Sequence, residues 1–186
     1  AVGRFGTRMQ RESKRLAQLV QEIIDLSRVQ DHETPAATEL IPIGRIIEDA
    51  VDRASTRADA KNITLQVVSG GDWHVEGNFE LLVNAVRNLV DNAIKHGRPG
   101  GRVTVTCDND QSGPMISVAD DGPGIPADRV TTVLQRGVRG DERVQGHGIG
   151  LSIVQDIVHS YRGELQVGRS DELGGACFCV RLPPGF

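Results

Sequence analysis

The sequence predicts an α/β two-layer sandwich: a mixed sheet with helices on one face, preceded by one long helix. Helix-like and strand-like patterns alternate through residues 40–186 without an internal repeat, which favours a sheet covered by helices. Apolar residues make up 38% and charged residues 25% of the chain, as in an ordinary soluble domain. Aromatic residues are only 3%, so the core must consist of aliphatic side chains.

The first 31 residues predict a long helix, because apolar residues recur at steps of three and four between Phe5 and Leu26. This apolar seam indicates a partner helix, with packing onto the chain's own domain as the alternative. Residues 32–39 are polar, include Pro35 and predict a linker. The chain is thus divided into a helix at 1–31, a linker at 32–39 and a domain at 40–186.

Apolar periodicity and turn residues predict the elements of that domain. In chain order they are a helix over Pro42–Ala60, strands at Ile63–Val67 and Trp73–Val75, a helix over Leu81–His96, strands near Arg102–Cys107 and Met115–Val118, a short helix around Asp128–Leu134, a helix from about Gly148 to Tyr161, and strands at Glu164–Val167 and Ala176–Leu182. Gly97 and Pro99 end the second of these helices.

Composition excludes several functional classes. A net charge of −4 without a basic tract gives no reason to expect nucleic acid binding. The sequence contains no apolar run that could span a bilayer and no signal peptide. Three cysteines, an odd number, include Cys177 and Cys179 on one face of a predicted strand. They indicate reduced core thiols and not a disulfide or metal set, which favours the cytoplasm. The first residue is not Met, so we expect a fragment of a longer protein.

The helix over Leu81–His96 carries an unusual polar stripe. At 100° per residue, Asn84, Asn88, Asn92 and Lys95 share one side, opposite the apolar residues. Carboxamide oxygens are hard ligands that suit Mg²⁺, and a lysine beside them suits phosphate oxygens. The alternative is a solvated helix face that happens to carry asparagines.

Two glycine-rich segments complete the set of candidate motifs. The segment Asp120-Asp-Gly-Pro-Gly124 ends a predicted strand and offers a carboxylate where backbone can approach a ligand, although turns often look similar. Gly146-His-Gly-Ile-Gly150 leads into a helix, whose free N–H groups attract phosphate. These glycines do not follow a strand, so a dinucleotide-binding βαβ unit is excluded.

In order and spacing, the three motifs resemble the N, G1 and G2 boxes of the GHKL ATP-binding superfamily, and most closely the catalytic domain of sensor histidine kinases. The resemblance implies a Bergerat-type fold, ATP and Mg²⁺ as cofactors, and transfer of the γ-phosphoryl group to a histidine. Residues 1–31, ending Glu22-Ile-Ile-Asp-Leu-Ser-Arg28, resemble the second helix of the dimerisation domain of these kinases.

The resemblance also implies roles for individual residues. Asn92 would bind Mg²⁺, with Asn88 beside it as a second ligand and to orient the transferred group. Lys95 would contact phosphate and His96 would lie beside the nucleotide. Asp120 would bind the adenine amine. The remaining residues expected around the nucleotide are Gly122, Gly124, Ile125, Gly146, His147, Gly148, Ile149, Gly150 and Leu151.

Arginines precede the second glycine-rich segment in a stretch that the resemblance implies is a lid. Arg139 is the one expected to neutralise the γ-phosphate, whereas Arg136 and Arg143 are equally well explained as solvated loop residues. The usual phenylalanine-rich F box is replaced by residues 133–139, which, with Leu173-Gly-Gly-Ala176, look more like the PhoQ type.

Asn88 favours a kinase over an ATPase. Hydrolytic relatives in the superfamily use a glutamate at the matching position to activate water, and a carboxamide cannot accept that proton. The acceptor histidine motif is absent, since His32, His74 and His159 lack its context. A GHKL ATPase, an anti-sigma-type serine kinase and a degenerate nucleotide-sensing or dimerisation module remain alternatives.

The resemblance implies the environment of the intact protein as well. We expect a homodimer, a response regulator receiver domain as partner, no nucleic acid, and membrane attachment only through missing upstream segments. The chain would then be the cytoplasmic portion of a membrane-anchored receptor.

Overall fold

The computed structural model describes residues 38–110, 113–130 and 150–183. Its elements are β1 (Glu39–Pro42), α1 (Ile43–Ala60), β2 (Thr64–Ser69), β3 (His74–Gly77), α2 (Phe79–His96), β4 (Arg102–Asp110), β5 (Gly113–Asp120), a 3₁₀ turn (Ala127–Arg129), α3 (Gly150–Ser160), β6 (Glu164–Arg169) and β7 (Ala176–Arg181). The predicted long helix at 1–31 and most of the predicted linker lie outside these ranges.

Five strands form a mixed sheet in the order β2-β4-β5-β7-β6. The β2–β4 pair is parallel, whereas β4–β5, β5–β7 and β6–β7 are antiparallel. The three helices α1, α2 and α3 pack against the strands, and α2 lies between the other two helices. The predicted two-layer α/β sandwich with a mixed sheet is therefore confirmed.

Strand alternation separates the two faces of the sheet. On β5, Ile116 and Val118 are buried under the helices, whereas Met115 and Ser117 are half-buried on the other face. The core between helices and sheet is almost entirely aliphatic, and Phe178 of β7 is its largest fully buried side chain. The expectation of a core poor in aromatic residues is borne out among the described residues.

Most predicted elements agree with the structure within a few residues, but two differ. Glu39–Pro42 pairs with β3 as a short antiparallel strand, where the sequence predicted the end of a linker and the first residue of a helix. The strand could not be predicted from local sequence, because its partner β3 lies more than 30 residues further along the chain and because Pro42 directly precedes α1. The short helix predicted around Asp128–Leu134 is a 3₁₀ turn at Ala127–Arg129, and residues beyond 130 lie outside the described part.

The start of α2 is fixed by a side-chain cap. Asn78 Oδ1 accepts a hydrogen bond from the Leu81 N–H at 3.1 Å, and the Asn78 N–H donates to Tyr161 Oη at 2.9 Å. The first bond satisfies one of the N–H groups that a helix start leaves unpaired. The second ties the start of α2 to the residue that follows α3.

The Asn78 cap yields a test of stability. Asn78→Ala removes the acceptor for Leu81 N–H and should lower the free energy of unfolding by about 1 kcal/mol, measured by urea denaturation. Asn78→Asp keeps an acceptor at the same place and should leave the urea midpoint nearly unchanged. Equal losses in both variants would contradict the capping role.

Candidate active site

The candidate site begins on α2, whose second half carries Asn88, Asn92, Lys95 and His96, all half-buried. The C-terminal end of this helix is bound by Lys61, the residue that follows α1. Its Nζ donates to the main-chain oxygens of Ile94 at 2.8 Å and Lys95 at 2.7 Å. A cation at the C-terminus of a helix pairs its unsatisfied carbonyls and opposes its dipole. The last turn of α2 is thus held in place from outside the site.

Asn84 does not belong to the presented polar stripe, contrary to the sequence prediction. It is buried, with 8% of its surface exposed. Its side-chain oxygen accepts hydrogen bonds from Asn88 Nδ2 at 2.9 Å and from Arg87 Nη2 at 2.7 Å. Helical periodicity placed Asn84 correctly on the side of Asn88, but it could not show that the residue is covered there. Asn84 is therefore a support for Asn88 and not a ligand.

Asn84 orients the carboxamide of Asn88. Asn88 Nδ2 donates to both the main-chain oxygen (2.8 Å) and the side-chain oxygen of Asn84, one helical turn back. With the amide nitrogen engaged, Oδ1 points the other way, toward the start of α3. A Cβ built on Gly150 would lie 3.2 Å from that oxygen. The structure therefore brings the end of the second glycine-rich segment against the polar stripe of α2.

Asp120 closes the other side of the candidate site. It ends β5, and its residue surface is only 1% exposed. Its Oδ1 accepts hydrogen bonds from the Gly122 N–H at 2.8 Å and the Ala176 N–H at 3.1 Å. Both bonds fall on the same oxygen, so within the described ranges Oδ2 keeps its capacity to accept from a ligand.

Burial raises the pKa of the Asp120 carboxyl above its ordinary value. The hydrogen bonds from Gly122 and Ala176 act in the opposite direction, and the neighbouring charge of Asp121 adds to the rise. A buried carboxylate with an open lone pair is stabilised by any ligand that donates a hydrogen bond to it. An exocyclic amine is such a donor.

Glycines let main chain close around the Asp120 carboxyl. A Cβ on Gly122 would lie 2.5 Å from the His96 main-chain oxygen and 2.9 Å from Asp120 Oδ1, and one on Gly175 would collide with Asp120. Gly124 has a φ of +75°, which side chains rarely adopt. The predicted first glycine-rich segment is thus a close approach between β5, the end of α2 and the turn before β7.

Asp121 was not singled out in the sequence, yet it holds the loop that follows α2. Its Oδ1 accepts from the Arg98 N–H at 3.0 Å and its Oδ2 from the Arg102 N–H at 3.1 Å. The two adjacent carboxylates therefore have different roles. Asp120 keeps one oxygen for a ligand, and Asp121 links the residues that follow α2 to the start of β4 by hydrogen bonds. The only sequence signal was the pair of acids before Gly122.

The remaining predicted site residues divide into two groups. Ile125 and Leu151 are partly buried and pack against the core. Five predicted residues lie outside the described ranges, namely Arg139, Gly146, His147, Gly148 and Ile149, as do the lid residues Arg136 and Arg143. Their placement relative to Asn88 and Asp120 stays a prediction.

The described residues fit a nucleotide carried with Mg²⁺. In these ranges no group of three or more His, Cys, Asp or Glu residues could enclose a metal ion. Mg²⁺ typically takes one or two protein ligands and completes its shell with phosphates and water. The oriented Asn88 oxygen and the half-buried Asn92 one turn further on could supply those protein ligands, while Asp120 suits the base.

Comparison with known proteins identifies the family. A family model described as histidine kinase-, DNA gyrase B- and HSP90-like ATPase matches residues 77–185, more than half of the chain. The chain belongs to this family. The match begins just before α2 and therefore contains the asparagine stripe and both glycine-rich segments.

The curated relatives are sensor kinases. The sensor-like histidine kinase SenX3 of Mycolicibacterium smegmatis is 32% identical over 186 residues, covering 98% of this chain and 48% of the relative. The sensor histidine kinase RppB of Synechocystis is 32% identical over 181 residues, covering 94% of this chain and 39% of the relative. The chain thus spans about half, or less, of the length of these relatives.

Solved structures agree with the family. The mycobacterial sensor histidine kinase MprB superposes with a TM-score of 0.71 at 30% identity, over 80% of this chain and 98% of that one. Full-length ShkA in complex with AMPPNP superposes with a TM-score of 0.81 at 25% identity, over 96% of this chain and 38% of that one. These matches support the Bergerat-type fold implied by the motifs. None of the helices in the described ranges is long and apolar enough to cross a membrane.

The Asn84–Asn88 pair yields a test of the site. Asn84→Ala removes the side-chain acceptor that orients Asn88 and should weaken Mg·ATP binding about fivefold, because a neutral hydrogen bond contributes about 1 kcal/mol. Asn84→Asp keeps an acceptor and should bind nearly as the wild type does. Isothermal titration calorimetry measures both.

A double-mutant cycle separates positioning from general damage. If Asn84 acts through Asn88, Asn84→Ala should cost nothing further in an Asn88→Ala background. Additive losses would show that Asn84 affects binding by another route.

Proposed function

We propose that this chain is the ATP-binding catalytic portion of a two-component sensor histidine kinase. In the intact protein it transfers the γ-phosphoryl group of Mg·ATP to a histidine. Two observations carry the proposal: an oriented carboxamide on α2 faces the start of α3, and a buried carboxylate at the end of β5 lies behind the glycine loop that contacts the end of α2. Family membership and the sensor kinase relatives support the reaction class.

The proposed binding mode follows from these contacts. Asp120 accepts a hydrogen bond from the adenine amine through Oδ2, and the close main chain at Gly122 and Gly175 excludes water around it. Asn88 and Asn92 are the proposed Mg²⁺ ligands, and Lys95 contacts phosphate. Bound Mg²⁺ supplies charge neutralisation on the phosphates. The described residues orient the nucleotide, and Arg139 with the segment 146–150 is proposed to cover it.

The acids of α2 favour phosphoryl transfer over hydrolysis. Its two acids are Glu80 and Asp91. Asp91 binds Arg57 of α1 at 2.6 Å, and Glu80 binds Arg53 of α1 at 2.9 Å, so both carboxylates face α1. Asn88 cannot accept a proton from water. The helix therefore presents no carboxylate to the proposed phosphate site, and we propose that catalysis rests on positioning and charge neutralisation.

The proposal extends to the intact protein. Its dimer would bring a histidine-bearing helix to the nucleotide, with residues 1–31 as the second helix of that dimerisation domain. A response regulator receiver domain would then take the phosphoryl group from the histidine. We propose that this portion works in the cytoplasm.

Asp120→Asn tests the adenine contact. A hydrogen bond to a charged group contributes about 1.5–3 kcal/mol, so ATP affinity at neutral pH should fall about 10- to 100-fold in calorimetry. Asp121→Asn is the matched control, since Asp121 supports the neighbouring loop and should lower affinity far less. Unchanged ATP binding in Asp120→Asn would contradict the site assignment.

Because the pKa of Asp120 is raised, the affinity for the nucleotide base should depend on pH. The ligand amine binds the ionised carboxylate, so affinity should be complete above the raised pKa and fall as the pH drops through it. Titrations of adenosine, which carries no phosphate that titrates in this range, should show the fall. In Asp120→Asn the residual affinity should not vary in that window.

Phosphotransfer is tested by adding an acceptor. The chain, Mg²⁺ and γ-labelled ATP are incubated with a separate histidine-bearing dimerisation domain from a sensor histidine kinase. We expect acid-labile label on that domain, strongly reduced by Asn88→Ala, and little hydrolysis without acceptor. Acid-stable serine phosphate, or rapid multiple-turnover hydrolysis without acceptor, would overturn the proposal in favour of a serine kinase or an ATPase. Binding of Mg·ATP without transfer would favour a nucleotide-sensing module.

A further inference from the structure

The face of the sheet away from the helices carries two thiols side by side. Cys177 and Cys179 alternate on β7 with the buried residues Ala176, Phe178 and Val180, so both point to the open face, where they are half-buried. Their sulfur atoms are 3.7 Å apart, so that one thiol can donate a hydrogen bond to the other, and both cysteines are free. The sequence predicted core thiols outside any metal set, whereas the alternation of β7 places both thiols on the face away from the core. Neither the polar stripe of α2 nor the glycine-rich segments involve this pair.

The spacing of the sulfurs matches a shared metal ion better than a disulfide. Two sulfurs that each lie about 2.3 Å from one ion at a tetrahedral angle are about 3.8 Å apart. A disulfide instead needs about 2.05 Å between the sulfurs and a Cα separation below about 6.8 Å. Alternate residues of an extended strand are about 6.6 Å apart, at the upper end of that range.

The surroundings of β7 resist the buckling that a disulfide would require. The strand is paired on both sides, with Cys179 opposite Ser117 of β5 and Gln166 of β6. Phe178, between the two cysteines, is 1% exposed in the core. Pulling the cysteines together would disturb that packing, whereas a bridging ion leaves the strand as it is.

Neighbouring groups lower the pKa of the Cys179 thiol and so favour its thiolate. The hydrogen bond with Cys179 and burial instead raise the pKa of Cys177, whose proton the bound ion would have to displace. Ser117 Oγ lies 3.3 Å from Cys179 Sγ and donates to it. Arg181, two residues along β7, lies on the same face, and its Nη2 is 3.7 Å from Met115 Sδ. A hydroxyl donor and a guanidinium beside a thiol stabilise its ionised form, which is the form that binds metals.

We propose that Cys177 and Cys179 form a two-thiolate site for a thiophilic ion with a filled d shell, of the class of Zn²⁺, Cd²⁺ and Cu⁺. Soft sulfur ligands select such ions. Within the described ranges no third His, Cys, Asp or Glu joins the pair. Water or a small ligand from solution completes the coordination shell, so the ion exchanges readily and is not a structural centre.

The site is independent of the proposed kinase reaction. It lies on the opposite face of the sheet from α2, although Ala176, which holds Asp120, is the residue next to Cys177. A variant that loses ATP binding, Asp120→Asn, should still bind one metal ion through both thiolates. Failure of the metal site and failure of the nucleotide site are therefore distinguishable in the same samples.

Cadmium titration of the reduced full chain tests the proposal, because sulfur-to-cadmium charge transfer gives an ultraviolet absorbance that scales with the number of bound thiolates. The chain has three cysteines in all. We expect one Cd²⁺ per chain, with the absorbance of two thiolates and displacement by Zn²⁺. Cys177→Ser and Cys179→Ser should each weaken binding at least tenfold and halve the absorbance.

Cys107→Ser is the matched control. Burial raises the pKa of the Cys107 thiol to about 11 and the side chain is 1% exposed, so this thiol should not bind. The variant should keep full stoichiometry and affinity. Equal Cd²⁺ affinity in the Cys177→Ser/Cys179→Ser double variant, or two independent one-thiolate events in the wild type, would overturn the proposal. Adenosine binding by each variant verifies that the fold is intact.

Discussion

The candidate site depends on one buried carboxylate. Asp120 lies where β5 ends, and its Oδ1 is held by N–H groups from the loop after β5 and from the first residue of β7. An unpaired carboxylate at this depth would be costly to fold, whereas two main-chain donors offset part of that cost. The second oxygen remains able to accept, so the fold itself creates a place for a hydrogen-bond donor. Glycines at 122 and 175 are needed because a Cβ at either position would collide with the Asp120 carboxyl and the main chain around it.

On α2, too, hydrogen bonds within the protein hold one end of a side chain and leave an oxygen for a ligand, here with neutral groups. Asn84 is buried, and its side-chain oxygen fixes the orientation of the Asn88 carboxamide. The side-chain oxygen of Asn88 then points toward Gly150. Orienting a ligand in advance reduces the entropy lost when metal and phosphate bind. The acids of α2 are drawn toward α1 by Arg53 and Arg57, which keeps carboxylates away from the presented oxygen. Charge, hydrogen bonding and helix packing thus support the proposed phosphate site, which contains no carboxylate of α2 to activate water.

Local sequence was sufficient for elements whose signals lie within a few residues. The apolar period and Gly97 predict α2 and its end, whereas the helix begins at Phe79, two residues before the predicted start, because Asn78 caps it. The alternation on β5 and β7 separates core from open face. The motif residues Asn88, Asp120 and Gly122 could be selected because their spacing is that of the family. What the sequence could not supply were contacts between distant segments. The strand at Glu39–Pro42 and the loop contacts of Asp121 depend on partners far along the chain or on main-chain groups. Helical periodicity likewise cannot show that Asn84 is buried.

In the proposed complex, α2, the end of β5 and the start of α3 surround one nucleotide. Nuclear magnetic resonance of the ¹⁵N-labelled chain with AMPPNP tests this arrangement directly, using Mn²⁺ as a paramagnetic substitute for Mg²⁺. We expect Mn²⁺ to broaden the side-chain amides of Asn88 and Asn92 and the main-chain amide of Gly150, while the Mg²⁺ complex shifts the amides of Gly122 and Ala176. Broadening of the asparagines without any shift at Gly122 and Ala176, or broadening at unrelated surfaces, would contradict a single shared site.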